Sequence, residues 1–172
     1  EVEFTYQATP QQTLYFVGWD NDGSNQIWSQ GQGKYTSHWL PSLDDMNDKI
    51  EFDLSYQVPQ DYEVAANGKL VNKEKKGKEQ LWHFDMQHPM SSYLVAVAVG
   101  KFEAKEITST SGIPIKLYYE AQDEEKVAWT YKHSKKIFDF FEEEIGVAYP
   151  WQNYKQIPVR DFLYAGMENT TA

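Results

Sequence analysis

Cysteine is absent from the 172 residues, which excludes disulfides and Cys-ligated metal centres and leaves the redox compartment open. Long apolar runs are absent too. The longest, YLVAVAVG at Tyr93–Gly100, is far shorter than the roughly 20 residues of a bilayer-spanning helix and suits a buried strand. Positive charge is scarce: 16 Lys+Arg face 26 Asp+Glu, for a net charge of −10. Nucleic acid and anionic membranes both reward clustered cations, so neither is expected as a partner. No signal-peptide pattern follows Glu1, and the chain begins without Met, so localisation is left open. H-E-x-x-H, G-x-S-x-G and Gly-rich phosphate loops are all missing. The four histidines, His38, His83, His88 and His133, are scattered along the chain. They read as surface or packing residues, and no metal ligand or catalytic residue is expected within the chain itself.

What is present is a core. Hydrophobic residues make up 41% and aromatics 16%, enough to pack one ordinary domain, or a small domain plus part of another. The first hundred residues read as strands. KIEFDLSYQV places Ile50, Phe52, Leu54, Tyr56 and Val58 on one face and polar residues on the other, the alternation of a half-buried antiparallel strand. EVEFTYQ repeats it with Val2, Phe4 and Tyr6, and TLYFVGW and LWHFDM are further aromatic strand candidates. Asn67-Gly68 signals a hairpin, because both residues tolerate positive φ. NKEKKGKEQ reads as a solvated charged loop.

Beyond a strand at IPIKLYYE, the spacing predicts one helix over Glu124–Ile145. Val127, Tyr131, Ser134, Phe138, Phe141 and Ile145 form its apolar stripe. Asp123 is the expected N-cap, Gly146 the stop, and Glu142–Glu144 a solvated helix end. YKQIPVRD and GMENTTA read as two more strands. The change from all-β to β-α-β character places a boundary near Glu103, giving domains 1–103 and 104–172.

The segment AGMEN sets Glu168 just after a turn, between Met167 and Asn169. A carboxylate there can hold a cation such as the free α-amine of a peptide. The letters alone favour an ordinary exposed Glu beside a glycine turn, since short motifs recur by chance. Asn169-Thr170-Thr171 also matches a glycosylation acceptor, read here as a chance match because it lies inside this segment.

YAGMEN resembles the exopeptidase motif G-x-M-E-N of the aminopeptidase N family of zinc metallopeptidases. Three longer stretches resemble that family in the same order: SQGQGKYTSHWLPSLDD (Ser29–Asp45), MSSYLVAVAVGKFE (Met90–Glu103), and EKVAWTYKHSKKIFDFFEEEIGVAYPWQNYKQIPVRDF. The resemblance implies a mainly β fold: an antiparallel, saddle-like amino-terminal domain followed by the first α/β elements of a truncated thermolysin-like catalytic domain. It implies a parent enzyme that removes amino-terminal residues from peptides with the help of zinc. Glu168 then anchors the substrate amine, and Gln32 adds a second group from the amino-terminal domain. Ala165 and Gly166 run beside the peptide, Met167 and Asn169 complete the motif, and Tyr164 lines the pocket.

Three departures stand out. Ala165 replaces the first motif Gly. Ser42 stands where Cys is usual, and Met46 where Pro is usual. The zinc motif, the third metal ligand and the catalytic Tyr belong to sequence beyond the motif. The resemblance therefore implies a chain cut at this point, inactive alone, whose partners are a peptide with a free amino terminus and the rest of the catalytic domain. The rival reading is a non-catalytic β-rich binding module sharing the fold. Taken by itself, the chain is predicted to hold no stoichiometric zinc. Metal analysis after dialysis against trace zinc checks this, and one tightly held zinc per chain overturns it.

Overall fold

A computed structural model describes residues 2–20 and 24–172. The architecture is mainly β and stacks in layers. The strands are β1 (Leu14–Val17), β2 (Gln26–Ser29), β3 (Lys49–Pro59), β4 (Glu63–Ala66), β5 (Lys69–Lys76), β6 (Glu79–Ser91), β7 (Val97–Gly100), β8 (Phe102–Thr108), β9 (Pro114–Glu120) and β10 (Tyr154–Gln156). Helices α1 (Glu124–Thr130) and α2 (Ser134–Ile145) lie between β9 and β10.

The central layer is an antiparallel sheet in the order β1-β2-β7-β4. Its alternation is visible in VAVAVG. Val97 and Val99 face one way, with Val64 and Ala66, onto Phe52, Leu54, Trp82, Phe84 and Met86 of the second sheet, β3-β6-β5. Ala98 faces the other way, with Trp28 and Ala65, onto Phe102 and Tyr118 of the third sheet, β10-β9-β8. A strand buried on both faces has no polar side, which is why this run is continuously apolar. The third sheet buries its opposite face, Ile115 and Leu117, against Phe138 of α2. There β9 and β10 run parallel, joined by the helical crossover.

Several sequence expectations change on contact with the structure. Residues 2–10 form no strand, and Val2, Phe4 and Tyr6 are exposed; Glu1 lies outside the described residues. The alternation is present, but no neighbouring strand among the described residues supplies a ladder. Ile50 is exposed although Phe52 and Leu54 are buried, because the β3–β6 register shifts between Ile50 and Phe52. Such a bulge moves a side chain to the other face. Asn67-Gly68 does not close a hairpin. It is the corner at which the chain leaves the central sheet for the second one, β4 pairing with β7 and β5 with β6. Gly68 adopts φ 78°, and a Cβ there would lie 2.3 Å from the Asp85 carbonyl oxygen, so only glycine fits. NKEKKGKEQ is solvated as expected, but most of it is the β5–β6 hairpin rather than a loop.

The single predicted helix is two. The chain breaks over Tyr131–His133, where the Tyr131 hydroxyl donates to the Tyr118 carbonyl. Ser134 Oγ then reaches Gln156 Oε1 at 2.6 Å. Across the break the backbone bonds tighten, Lys132 N donating to the Trp129 carbonyl and Ser134 N to the Tyr131 carbonyl. Val127, Ser134 and Phe138 are buried, whereas Phe141 and Ile145 of the same stripe are exposed, because the three-stranded sheet is too narrow to cover them. Asp123 makes no capping bond and instead binds Lys126 Nζ at 2.6 Å. Gly146 does terminate α2, at φ 68°. Residues 166–172 form no strand, only a turn at Thr170-Thr171, for reasons that belong to the site.

Phe138 packs on Tyr149 and Tyr154 at centroid distances of 4.9 and 5.5 Å. Phe138→Ala is therefore expected to cost about 3–5 kcal/mol, and Phe141→Ala no more than about 0.5 kcal/mol. Chemical denaturation of both variants checks the contrast, and equal losses contradict this packing.

Candidate functional site

The segment that carries Glu168 is an arch held at both ends. Upstream, Trp28 Nε1 donates to the Arg160 carbonyl at 3.0 Å, and Arg160 N donates to Gln26 Oε1 at 2.8 Å. The Arg160 guanidinium grips Glu120 at 2.8–2.9 Å, and Phe162 packs on Trp28 with centroids 5.0 Å apart. These contacts tie the start of the arch to the central and third sheets. Downstream, Thr170 and Thr171 are buried at the Asn67-Gly68 corner. Asn67 Nδ2 donates to the carbonyls of Thr170 (2.7 Å) and Leu94 (2.9 Å), while Asn67 Oδ1 accepts from Ala96 N. Gly68 N donates to Thr171 Oγ1 at 2.7 Å. Side chains, not a strand ladder, therefore satisfy this backbone, which is why GMENTTA is not a strand.

Lys155 completes the corner. It is buried on β10, and its Nζ donates to Gly68 O at 2.8 Å, Asn153 Oδ1 at 2.6 Å and Thr171 O at 3.3 Å. Burial first, and then the charge of the neighbouring Lys116, push this ammonium down to about 7. Thr171, a β-branched residue, sits at φ 66°, a strained conformation that the surrounding bonds must hold.

Between its two anchors the arch is open. Tyr164, Ala165, Gly166 and Glu168 are exposed, and Met167 and Asn169 are half-buried. All of them line a broad groove of about 1420 Å³. Gln32 lies outside that groove. It joins Glu168 instead in a second pocket of about 430 Å³, with Lys34, Asp44, Asp45 and Tyr93 among its lining. Two residues far apart in sequence thus meet at one pocket, and Glu168 belongs to both cavities.

The approach of Gln32 is set by Gly31. A Cβ on Gly31 would lie 2.4 Å from Thr36 Oγ1 and 2.8 Å from the Tyr93 carbonyl oxygen. Buried Gln30 contributes as well, its Nε2 donating to Gln32 Oε1 (3.2 Å) and towards Met167 Sδ (3.6 Å). Asp44 is held by Ser37 and Asp45 by Asn47, so both carboxylates also shape the turn below the pocket.

Sequence reasoning missed Asn67, Lys155, Gln30 and Arg160. The only signal for Asn67 was its Asn-Gly pair. The others carry no local pattern, because their partners lie on distant segments. Asn169 Oδ1 is buried without a partner among the described residues. The Thr171 hydroxyl of the glycosylation match is buried and already bonded, which agrees with a chance match. Among the described residues, no group of three or more His, Asp or Glu converges to hold a metal. No helix of the described residues is long and apolar enough to cross a membrane.

A family profile described as "Peptidase M1 N-terminal domain" matches residues 1–94, more than half of the 172. Glutamyl aminopeptidase of Bitis rhinoceros is 31% identical over 133 residues, covering 76% of this chain and 14% of its own length. Aminopeptidase A of Gloydius brevicauda is also 31% identical, with the same coverage. Aminopeptidase M1 of Arabidopsis thaliana is 27% identical over 130 residues, covering 76% of this chain and 15% of its own. The chain thus spans about one seventh of the length of these relatives.

Stability provides a test of the corner. The folded Lys155 titrates near 7 and the unfolded one near 10.5. Between those values the unfolded chain binds more protons, so this residue's contribution to stability grows as pH rises and is weakest below about 7. The stability of the wild type relative to Lys155→Met is expected to rise from pH 7 to 10, by at most about 1.4 kcal/mol per pH unit. Urea unfolding at stepped pH measures it, and a flat or falling difference contradicts the burial of this amine.

Proposed function

This chain belongs to the peptidase M1 family, and we propose that it is the amine-recognising part of a zinc-dependent aminopeptidase that removes amino-terminal residues from peptides. In this reading residues 1–103 are the amino-terminal β domain and residues 104–172 open the catalytic domain, whose remainder completes the enzyme in the longer protein. The observation that carries the reading is the meeting of Gln32 and Glu168 in one pocket.

Within that reading each residue has a chemical task. An ammonium group leaving water needs a compensating carboxylate, which Glu168 supplies. Gln32 adds a neutral oxygen acceptor. Only the first residue of a peptide carries a free α-amine, so the pair selects chain ends. The exposed backbone at Ala165 and Gly166 runs beside the peptide as an added strand. Ala165, where the motif has Gly, is exposed, and in this reading its methyl is tolerated beside the peptide.

Zinc, in this reading, supplies an activated water. The described residues here do not fit a zinc site, so other parts of the longer protein hold the metal, and this chain's task is to bind and orient. The proposal does not extend to the acidic preference in the name glutamyl aminopeptidase. The charged residues lining the pocket are Asp44, Asp45 and Glu168 against Lys34 alone, a balance that repels an acidic terminal side chain.

The test uses the full-length protein. Glu168→Gln keeps size and one acceptor but loses the charge. Charge-assisted bonds contribute on the order of 1.5–3 kcal/mol, so kcat/KM for peptides is expected to fall roughly 10- to 100-fold. Gln32→Ala is expected to lose less, with zinc content unchanged in both variants. Steady-state kinetics on an aminoacyl-anilide, with the N-acetylated substrate as control, decides the matter. Full activity in Glu168→Gln, or equal cleavage of the blocked substrate, refutes the amine-anchor role and favours a binding module.

A further inference from the structure

The geometry points to Lys155 as a positioning residue: by bridging the carbonyls of Gly68 and Thr171 it locks the downstream end of the arch to the sheet corner, and so sets where Glu168 stands relative to Gln32. This inference rests on the amine-anchor reading of that pair.

The argument starts from reach. Glu168 lies two residues from Thr170, and a chain of two residues can span up to about 7 Å. If the Thr170-Thr171 anchor loosened, the carboxylate could move over several ångströms, whereas a charge-assisted bond to an ammonium needs a separation near 2.8 Å. Asn67 and the Gly68 amide join this anchor to the second and central sheets. Lys155 is the residue that also joins it to β10 and the third sheet. Its Nζ lies within hydrogen-bond distance of three oxygens, and it keeps N–H donors for the two carbonyls whether protonated or neutral. Lys155 does not line the pocket shared by Gln32 and Glu168, so its effect on that pocket passes through the arch. Thr171 adds a second sign of constraint, since its positive φ is held at the position where Lys155 binds.

A residue that only stabilises the fold lowers the amount of active protein and leaves each folded molecule unchanged. A positioning residue changes how the folded molecule discriminates. The experiment compares full-length wild type, Lys155→Met, Lys155→Arg and Glu168→Gln, after circular dichroism and zinc analysis have established folded, metal-loaded protein. KM and kcat are measured separately on an aminoacyl-anilide and on its N-acetylated form. Lys155→Met keeps the apolar stem and loses the donors. It is expected to raise KM for the free amine roughly tenfold with kcat within about threefold, and to narrow the preference for free over blocked substrate. Lys155→Arg keeps donors and is expected to recover most of the preference.

Wild-type KM and discrimination in Lys155→Met, with Glu168→Gln impaired, overturn this inference and leave the amine-anchor reading standing. Wild-type behaviour in Glu168→Gln overturns both. If Lys155→Met does not fold, Lys155→Gln, whose shorter polar side chain cannot bridge the Gly68 and Thr171 carbonyls, takes its place. A raised KM in that variant supports the inference, and an unchanged KM overturns it.

Discussion

The corner at Asn67-Gly68 must satisfy its backbone without a ladder, and the rest of the structure is arranged around that requirement. The chain turns there from one sheet into another, so strand pairing stops on both sides. Asn67 is fully buried, where an unpaired polar group costs about 1–3 kcal/mol. The partners come from three distant places: the turn at Leu94–Ala96, the arch at Thr170-Thr171, and Lys155 on β10. One corner therefore ties the three sheets to the segment that carries the exposed motif. Members of such a network depend on one another, because loss of one leaves others unpaired where water reaches them poorly.

That arrangement explains how an exposed carboxylate can hold a defined place. Loops are usually mobile as well as exposed. The arch is pinned upstream by Arg160 and the Phe162–Trp28 contact, and downstream by the corner. Strained backbone appears beside both anchors, at Asp161 (φ 53°) and Thr171 (φ 66°), and again at Lys34 (φ 72°) next to Gln32. Non-glycine residues hold such angles only where their surroundings over-determine them. The exposed face of α2 shows no such investment. Phe140, Phe141 and Ile145 of α2 stay exposed, since the narrow third sheet offers them no partner.

How much of this could be read from the letters depends on the range of each interaction. Period-two alternation found β3 and the aromatic stretch of β6, because it reports a local face. It failed at Ile50, where a bulge in the pairing, invisible in one strand's own sequence, moved the side chain. Residues 2–10 alternate as well as β3 does, yet alternation states only what a strand would bury, not whether a partner exists. The heptad-like spacing from Val127 to Ile145 located the helical region and missed its break, where Tyr131 and Ser134 bond to acceptors on β9 and β10 that no local pattern announces. Asn-Gly announced a positive φ that Gly68 alone adopts and wrongly announced a hairpin, since the same dihedral serves a corner. At the site, Gln32 and Glu168 came from resemblance and not from spacing, because nothing in a linear sequence relates residues so far apart. Lys155 fell inside the predicted strand YKQIPVRD with nothing in its own stretch to mark it. Its burial is a property of three segments at once.

The exposure of Glu168 also bears on how recognition of an amine would work. An ion pair open to water is worth about 0–1 kcal/mol, because solvent screens it and two flexible groups must be ordered. The same pair contributes more only where water is displaced and the partners are held in advance. This chain provides the second condition through the pinned arch, the Gln30–Gln32 bond and the Gly31 approach. It does not provide the first, for Glu168 opens into a broad groove. On the aminopeptidase reading, discrimination between free and blocked termini is therefore a joint property. The β-sheet corner fixes the carboxylate, and the remainder of the longer protein, with the peptide itself, removes the water. A carboxylate that was covered but loose, or fixed but wet, would bind an ammonium only weakly. The device works when both conditions hold, and the polar corner at Asn67 and Lys155 is the part of it that this chain contains.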